Sequence, residues 1–298
     1  MLSIVKQLER GILVCPRTGV PLKQCGQELM TEDGRYHYPI RGNAPILFAE
    51  EATQKQYLEE QAGSMAEKYA ESARAGRFRR VRDCLTSIAA YDYRSADSRA
   101  AFSEVFDQQT NDSLCLAIGG GPGRHHDSLV NLNIARFPNV DVVADAYRLP
   151  YANNSVEAIY CEAVLEHLEH PNEAVAEMFR VLKPGGRVFA ATPFLQWFHA
   201  FPNHFQNFTL EGHKRLFTRH GFVIDRCGTC VGPTFALMVL ANCYAKLYLP
   251  FLIRQVCGAA LRLLRIMLCP IDMLINRHAQ SHILASTTFV LATKPTQT

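Results

Sequence analysis

The chain has 298 residues, 48% of them hydrophobic and 20% charged, with a formal net charge of +3. That length accommodates one large domain and a small one, and the composition is ordinary for a globular protein. So slight a charge gives no ground for expecting a nucleic-acid partner. Met1 to Gly11 is mixed in charge and lacks the apolar core of a signal peptide. Ten cysteines without an export signal then point to reduced thiols and a cytoplasmic protein. No internal repeat or low-complexity tract is visible.

Taken in chain order, residues 11–48 resemble a small zinc-ribbon-like module. The metal-binding form of that module opens with Cys-Pro-x-Cys and adds a second cysteine pair. Here Cys15-Pro16-Arg17 is followed by Thr18, and after Cys25 no cysteine appears before Cys84. Structural zinc takes four ligands, so the module is expected to be metal-free. Packing must hold it, with Tyr36, Tyr38, Ile40, Ile46 and Leu47 as its core. From about 51 to 112 the composition shifts to Ala, Glu, Arg and Gln at helical spacing. This reads as a helical linker or lid in which Tyr69 or Phe78 could cover a ligand and the arginines of 74–82 could meet a phosphate.

Cys115-Leu116-Ala117-Ile118 is a short apolar run entering glycines at 119, 121 and 123. Such a turn lets a ligand rest on backbone amides. The dinucleotide fingerprint G-x-G-x-x-G fails, because Arg124 and His126 stand where its third glycine belongs in the two registers. A phosphate loop fails for want of Gly-Lys-Ser/Thr. Further on come Val142-Val143-Ala144-Asp145-Ala146, Leu149-Pro150-Tyr151, Val164-Leu165-Glu166-His167-Leu168 and Leu182-Lys183-Pro184-Gly185-Gly186.

In that order these segments resemble the type 11 subgroup of class I S-adenosylmethionine-dependent methyltransferases. The resemblance covers residues 113–194 and continues more weakly to about 225. It implies an α/β, Rossmann-like, doubly wound sheet, carrying the small N-terminal β module and C-terminal apolar helices. Hydrophobic periodicity agrees: strands alternate with helical segments, and 171–182 starts on Pro171 with Val175, Met178, Phe179 and Leu182 on one face. By the resemblance, Gly119, Gly121, Gly123 and Asp145 bind the cofactor, with Ala146 contributing backbone. Asn133 ends the second strand, where relatives carry a ribose-binding acid, and Glu162 lies near the methionine end. Two departures weaken the match: Ala117 replaces an acidic residue, and Asn133 lacks a charge. Asp145 would serve equally as a turn cap, and Glu162 as a solvated helix start.

Acceptor chemistry should come from loops above the sheet. The stretch 192–205 holds the one Trp and two of eleven His, His199 and His204. These are the candidate bases, with His167 third; packing against aromatic rings is the alternative role. Cys227 and Cys230 read as two strand cysteines rather than a redox or metal pair. Between about 233 and 275 apolar residues crowd the chain, interrupted by Asn242, Lys246, Pro250 and several arginines. Those interruptions argue against a membrane span and for basic amphipathic helices. Residues 233–270 would lie on a membrane surface, cover an apolar acceptor, or bury themselves in a homodimer or the core. Thr287–Thr293 reads as a closing strand. The expected activity is methyl transfer to an O or N atom of a small or lipid-linked acceptor. The alternative is a non-catalytic partner subunit that kept the fold.

Overall fold

The computed structural model describes residues 2–60, 94–106, 109–110, 112–121, 123–199 and 203–296. Tyr69, Phe78 and the arginine cluster 74–82 lie outside them. Helix α1 (Ile4–Glu9) leads to β1 (Leu22–Cys25), β2 (Glu28–Thr31), β3 (His37–Arg41) and β4 (Ala44–Leu47). Helices α2 (Glu51–Glu60) and α3 (Ala96–Glu104) precede β5 (Cys115–Ile118), β6 (Leu129–Asn133), β7 (Val142–Ala144) and β8 (Val156–Glu162). After these come α4 (Pro171–Val181), β9 (Leu182–Pro193), α5 (Leu210–Thr218) and β10 (Val223–Val231). The chain closes with α6 (Pro233–Tyr248), α7 (Phe251–Leu268), α8 (Asp272–Ile275) and β11 (Thr287–Thr293).

Eleven strands among the described residues form one sheet in the order β1-β2-β3-β4-β7-β6-β5-β8-β9-β11-β10. From β4 through β9 every neighbour is parallel, and β11 runs antiparallel between β9 and β10. The chain winds outward from β5 through β6 to β7, then returns to β8 on the other side. That reversal makes the sheet doubly wound and opens a crevice at the carboxyl ends of β5 and β8. The expected Rossmann-like class I methyltransferase sheet is therefore present. None of the described residues between β5 and β6 is helical, as the short spacing after Gly123 implied. The N-terminal strands extend the same sheet, with Ile46 and Leu47 of β4 paired to Val143 and Ala144 of β7.

Burial on both faces explains the apolar strand sequences. Leu116 and Ile118 of β5 face one layer, with Ala174, Val175, Met178 and Val181 of α4 and Phe217 of α5. Cys115 and Ala117 face the other, with Tyr160, Phe189, Phe289 and Ala101 of α3. Within the N-terminal module Tyr38, Ile46 and Leu47 are buried as expected, whereas Tyr36 and Ile40 are half-buried. Arg17 and Arg35 lie over the Tyr36 ring at 5.2 and 5.4 Å, which keeps one face of that ring polar. Cys15 is buried with its Sγ 3.1 Å from Tyr38 Oη. Cys227 and Cys230 both lie on β10, the first half-buried and the second buried.

His213 of α5 is fully buried between strands β9 and β11. Its Nδ1 lies 3.3 Å from Thr192 Oγ1 and 3.2 Å from Thr288 Oγ1, and Nε2 has no partner among the described residues. Burial pushes its pKa down to about 3 from 6.5. A folded pKa below the unfolded one means that only the unfolded chain takes up this proton over that interval. Stability is therefore lost as pH falls below about 6.5, by up to about 1.4 kcal/mol per pH unit from this group. Urea midpoints measured from pH 7 to 5 should fall more steeply for the wild type than for His213→Gln. Parallel curves would contradict the assignment.

Candidate active site

The site begins at the glycine turn after β5. Gly119 and Gly121 adopt φ of 73° and 60°, the left-handed region that glycine enters without strain. A Cβ on Gly119 would stand 2.1 Å from Val164 Cγ2, and one on Gly120 would stand 2.1 Å from Asn131 Oδ1. At Gly121 and Gly123 a Cβ would meet nothing within 4 Å. The first two glycines thus let the protein close on itself, while Gly121 and Gly123 leave space for something else. Ligand approach is a sufficient reason for glycine only at those latter positions.

Asn131, in the middle of β6, braces the turn. Its Nδ2 donates to the carbonyls of Gly121 at 3.1 Å and Gly123 at 3.4 Å. Its backbone N donates to Asp141 Oδ2 at 2.8 Å, and Arg124 donates to both carboxylate oxygens of Asp141 at 3.0 Å. Asn133, two residues on, ends the strand as expected. Its Oδ1 accepts from Ala135 N at 2.9 Å, which leaves the amide NH₂ as its free polar group. Asp145 follows β7 and accepts from Tyr147 N at 2.9 Å through one oxygen. Burial raises its pKa, partly offset by that backbone donor. Ala146 beside it is buried. Because β7, β6, β5 and β8 are successive parallel neighbours, Asp145, Asn133, the glycine turn and Glu162 all lie along the same edge.

Glu162, at the end of β8, is tied more firmly than its sequence suggested. Arg94 pairs with it at 2.6 and 2.9 Å, and the Tyr160 hydroxyl donates to it. Ala117 belongs to the buried layer around Tyr160.

Beyond Glu162 lies a cavity of about 210 Å³, lined by Glu162, Glu166, Gln196, Trp197, His199 and Phe235 among others. Its lining mixes polar and apolar side chains. His204 borders it indirectly: its Nδ1 accepts from His199 N at 3.1 Å, and its Nε2 donates to Asn207 Oδ1 at 2.7 Å. Both ring nitrogens are thereby committed, so of the two expected bases His199 alone keeps a free ring nitrogen. His199 Nδ1 donates to Trp197 O at 2.9 Å, leaving Nε2 unprotonated. Glu166 is wholly buried, and burial pushes its pKa up to about 8. The sequence reading singled out neither Glu166 nor Asn131 for a role at the site. An acidic residue directly before His167 was the one available signal.

Residues 116–190 match the methyltransferase domain family. This stretch is a methyltransferase domain. The methyl donor of such a domain is S-adenosylmethionine, and the open positions at Gly121 and Gly123 beside a half-free Asp145 fit an adenosyl group. Over 99 residues the chain is 38% identical to an uncharacterized chloroplastic methyltransferase of Arabidopsis thaliana, covering 32% of this chain and 28% of that protein. Over 57 residues it is 44% identical to the demethylmenaquinone methyltransferase of Renibacterium salmoninarum, covering 19% and 24%. A 41-residue stretch is 51% identical to a UPF0434 protein of Vesicomyosocius okutanii, covering 14% of this chain and 70% of that one. Over that stretch the chain belongs to the UPF0434 family. The chain thus spans only about a quarter of the length of the methyltransferase relatives it matches.

Gly119→Ala should cost about 1–3 kcal/mol, from the strained φ and the clash with Val164 together. Pairing it with Val164→Ala should recover part of that loss in thermal unfolding. A Gly119→Ala protein as stable as the wild type would show that the turn is not clasped as described.

Proposed function

We propose that this protein transfers a methyl group from S-adenosylmethionine to an oxygen or nitrogen atom of a small or lipid-linked acceptor. The observation that carries the reading is the pairing of an open glycine turn with a half-polar cavity at the same sheet edge. Gly119, Gly121 and Gly123 shape the cradle, Asp145 and the Ala146 backbone take the adenine side, and Asn133 offers its amide to the ribose. Glu162, held by Arg94, faces the methionine end. When bound, the sulfonium supplies an electrophilic methyl carbon.

The chain's own contribution is positioning and the handling of one proton. An acceptor in the cavity would rest its apolar part on Trp197 and Phe235 and turn its nucleophile toward Glu162, Glu166 and His199. There these side chains would align the acceptor's lone pair with the methyl carbon, so that the new bond would form as the C–S pair returned to sulfur. The acceptor's proton passes to the cluster at His199, whose Nε2 is free.

The C-terminal helices favour an acceptor with an apolar portion. Phe235, on α6, lines the cavity. The same helical pair exposes Leu247, Tyr248, Phe251, Leu252, Val256 and Met267, and Leu252 is 77% exposed. Lys246, Arg254 and Arg262 lie among them. Among the described residues no helix is long and apolar enough to cross a membrane. An apolar surface flecked with cations suits contact with an anionic lipid surface. A homodimer would cover the same face.

A second reading, a non-catalytic partner subunit of the same fold, draws on the burial of Ala117 and the commitment of Asn133 Oδ1 to the backbone. Calorimetric titration with S-adenosylhomocysteine separates the two. Saturable binding, weakened about tenfold or more in Asp145→Ala, is expected; no heat at millimolar ligand would leave only the partner reading. For the lipid surface, the full chain should co-sediment with vesicles rich in phosphatidylserine, and Arg254→Glu/Arg262→Glu should release it. Protein remaining in the supernatant, or a concentration-dependent dimer in ultracentrifugation without lipid binding, would remove the membrane from the proposal.

A further inference from the structure

At the edge of the acceptor cavity three side chains from two segments converge. Glu166 and His167 come from the 3-10 turn Leu165–His167 after β8, and His199 comes from the loop after β9. One ligand-type atom from each lies within 4.8 Å of the others. Glu166 Oε1 stands 3.7 Å from His167 Nε2. Glu166 is 0% exposed, and neither of its carboxylate oxygens has a hydrogen-bond partner among the described residues. A buried carboxylate without a donor is costly, and its oxygens adjoin two imidazoles.

We propose that Glu166, His167 and His199 form a binding site for a divalent cation of the Zn²⁺ type, open to the acceptor cavity. The state of the two rings supports this. His167 Nδ1 donates to Asn203 O, and His199 Nδ1 donates to Trp197 O. Each backbone carbonyl fixes the proton on Nδ1 and leaves the Nε2 lone pair free. That is how a metal-ligating imidazole is ordinarily held by its outer partner.

The spacing also agrees. Ligand atoms about 2.0–2.1 Å from a tetrahedral ion lie about 3.4 Å apart; Glu166 and His167 stand 3.7 Å apart, and the His199 atom, within 4.8 Å of both, would move in on binding. Two imidazoles and one carboxylate suit a borderline transition ion better than Mg²⁺ or Ca²⁺, which prefer oxygen ligands. Three protein ligands leave a fourth position free, as in catalytic rather than structural zinc sites. His199 also lines the cavity, so that position faces where an acceptor would sit. An acceptor bearing a hydroxyl or carboxylate oxygen is the class that would fill it.

His204 adjoins this site, with its ring 4.3 Å from that of His199 and 5.8 Å from that of His167 between centroids. It accepts from the His199 backbone and is itself held by Asn207, whose Nδ2 donates to Gln196 O at 3.1 Å. It is a positioning residue. The acceptor preference rests on the methyl-transfer reading above; the ion site does not. With an ion bound, His199 would be a ligand rather than the base, and the ion would lower the pKa of a coordinated acceptor hydroxyl so that its proton would leave to water.

The test uses the full chain with Zn²⁺ or Co²⁺ alone. After loading and dialysis the wild type should retain about one zinc per chain, and Co²⁺ should develop the visible d–d bands of a low-coordinate nitrogen–oxygen site. Glu166→Gln and His199→Ala should each abolish retention with unchanged far-ultraviolet circular dichroism. His204→Ala should weaken affinity by about 10–100-fold. His126→Ala, outside the cluster, should bind as the wild type does. A wild type that retains no zinc would overturn the proposal, and so would full retention by His199→Ala, which lies on a partly exposed loop and leaves the fold intact. Because the titration needs no S-adenosylmethionine, loss of cofactor binding would refute methyl transfer while leaving this result standing.

Discussion

The clasp around residues 119–123 is the constraint on which the remaining structure depends. Val164 and the Asn131 carboxamide press on Gly119 and Gly120 so closely that a Cβ at either position would force them to shift. Asn131 also holds the carbonyls of Gly121 and Gly123, pulling the turn toward β6 and away from the crevice. Arg124 and Asp141 anchor that brace through Asn131 N. The unpartnered Oδ1 of Asn131 shows what the closure costs in hydrogen bonding. In return a Cβ at Gly121 or Gly123 would meet no atom of the described residues within 4 Å. Without that brace a glycine-rich turn between parallel strands would have many conformations and no defined cradle.

From this fixed edge the site divides into a rigid half and a loop-borne half. Asp145, Asn133 and Glu162 stand at ends of strands buried on both faces, so their positions follow from sheet register. Trp197, His199 and His204 lie on a loop whose order comes from side-chain hydrogen bonds among His199, His204 and Asn207. Glu166 joins the two halves. It sits in the 3-10 turn directly after β8, yet its carboxylate adjoins the loop histidines. Burial pushes its pKa up to about 8. Such a group is poised to pair with a cation or a donor arriving from the cavity. Division into a rigid cofactor half and a variable acceptor half is common where one fold serves many substrates.

Periodicity and turn chemistry made much of this readable from residues alone. Pro171 and the spacing of Val175 and Met178 define α4, and the β-branched run 287–293 coincides with β11. Asp145 and the glycines stand where an apolar strand meets a turn, a pattern visible in one dimension. Asn131 was not readable, because it shares the strand parity of Asn133 and only the fold shows which of the two meets the glycine carbonyls. Glu166 escaped for a related reason. A carboxylate before a histidine looks like an exposed turn until tertiary packing removes its water. The residue type of His204 suits a base, but the commitment of both its ring nitrogens depends on His199 and Asn207, which the sequence pattern does not place.

The most direct measurement is the crystal structure of the chain grown with S-adenosylhomocysteine. The account predicts the ligand at the carboxyl ends of β5 to β8, its adenosine against Asp145 and its backbone contacts at Gly121 and Gly123. A crevice filled by the protein's own side chains, or the ligand lodged elsewhere, would contradict it.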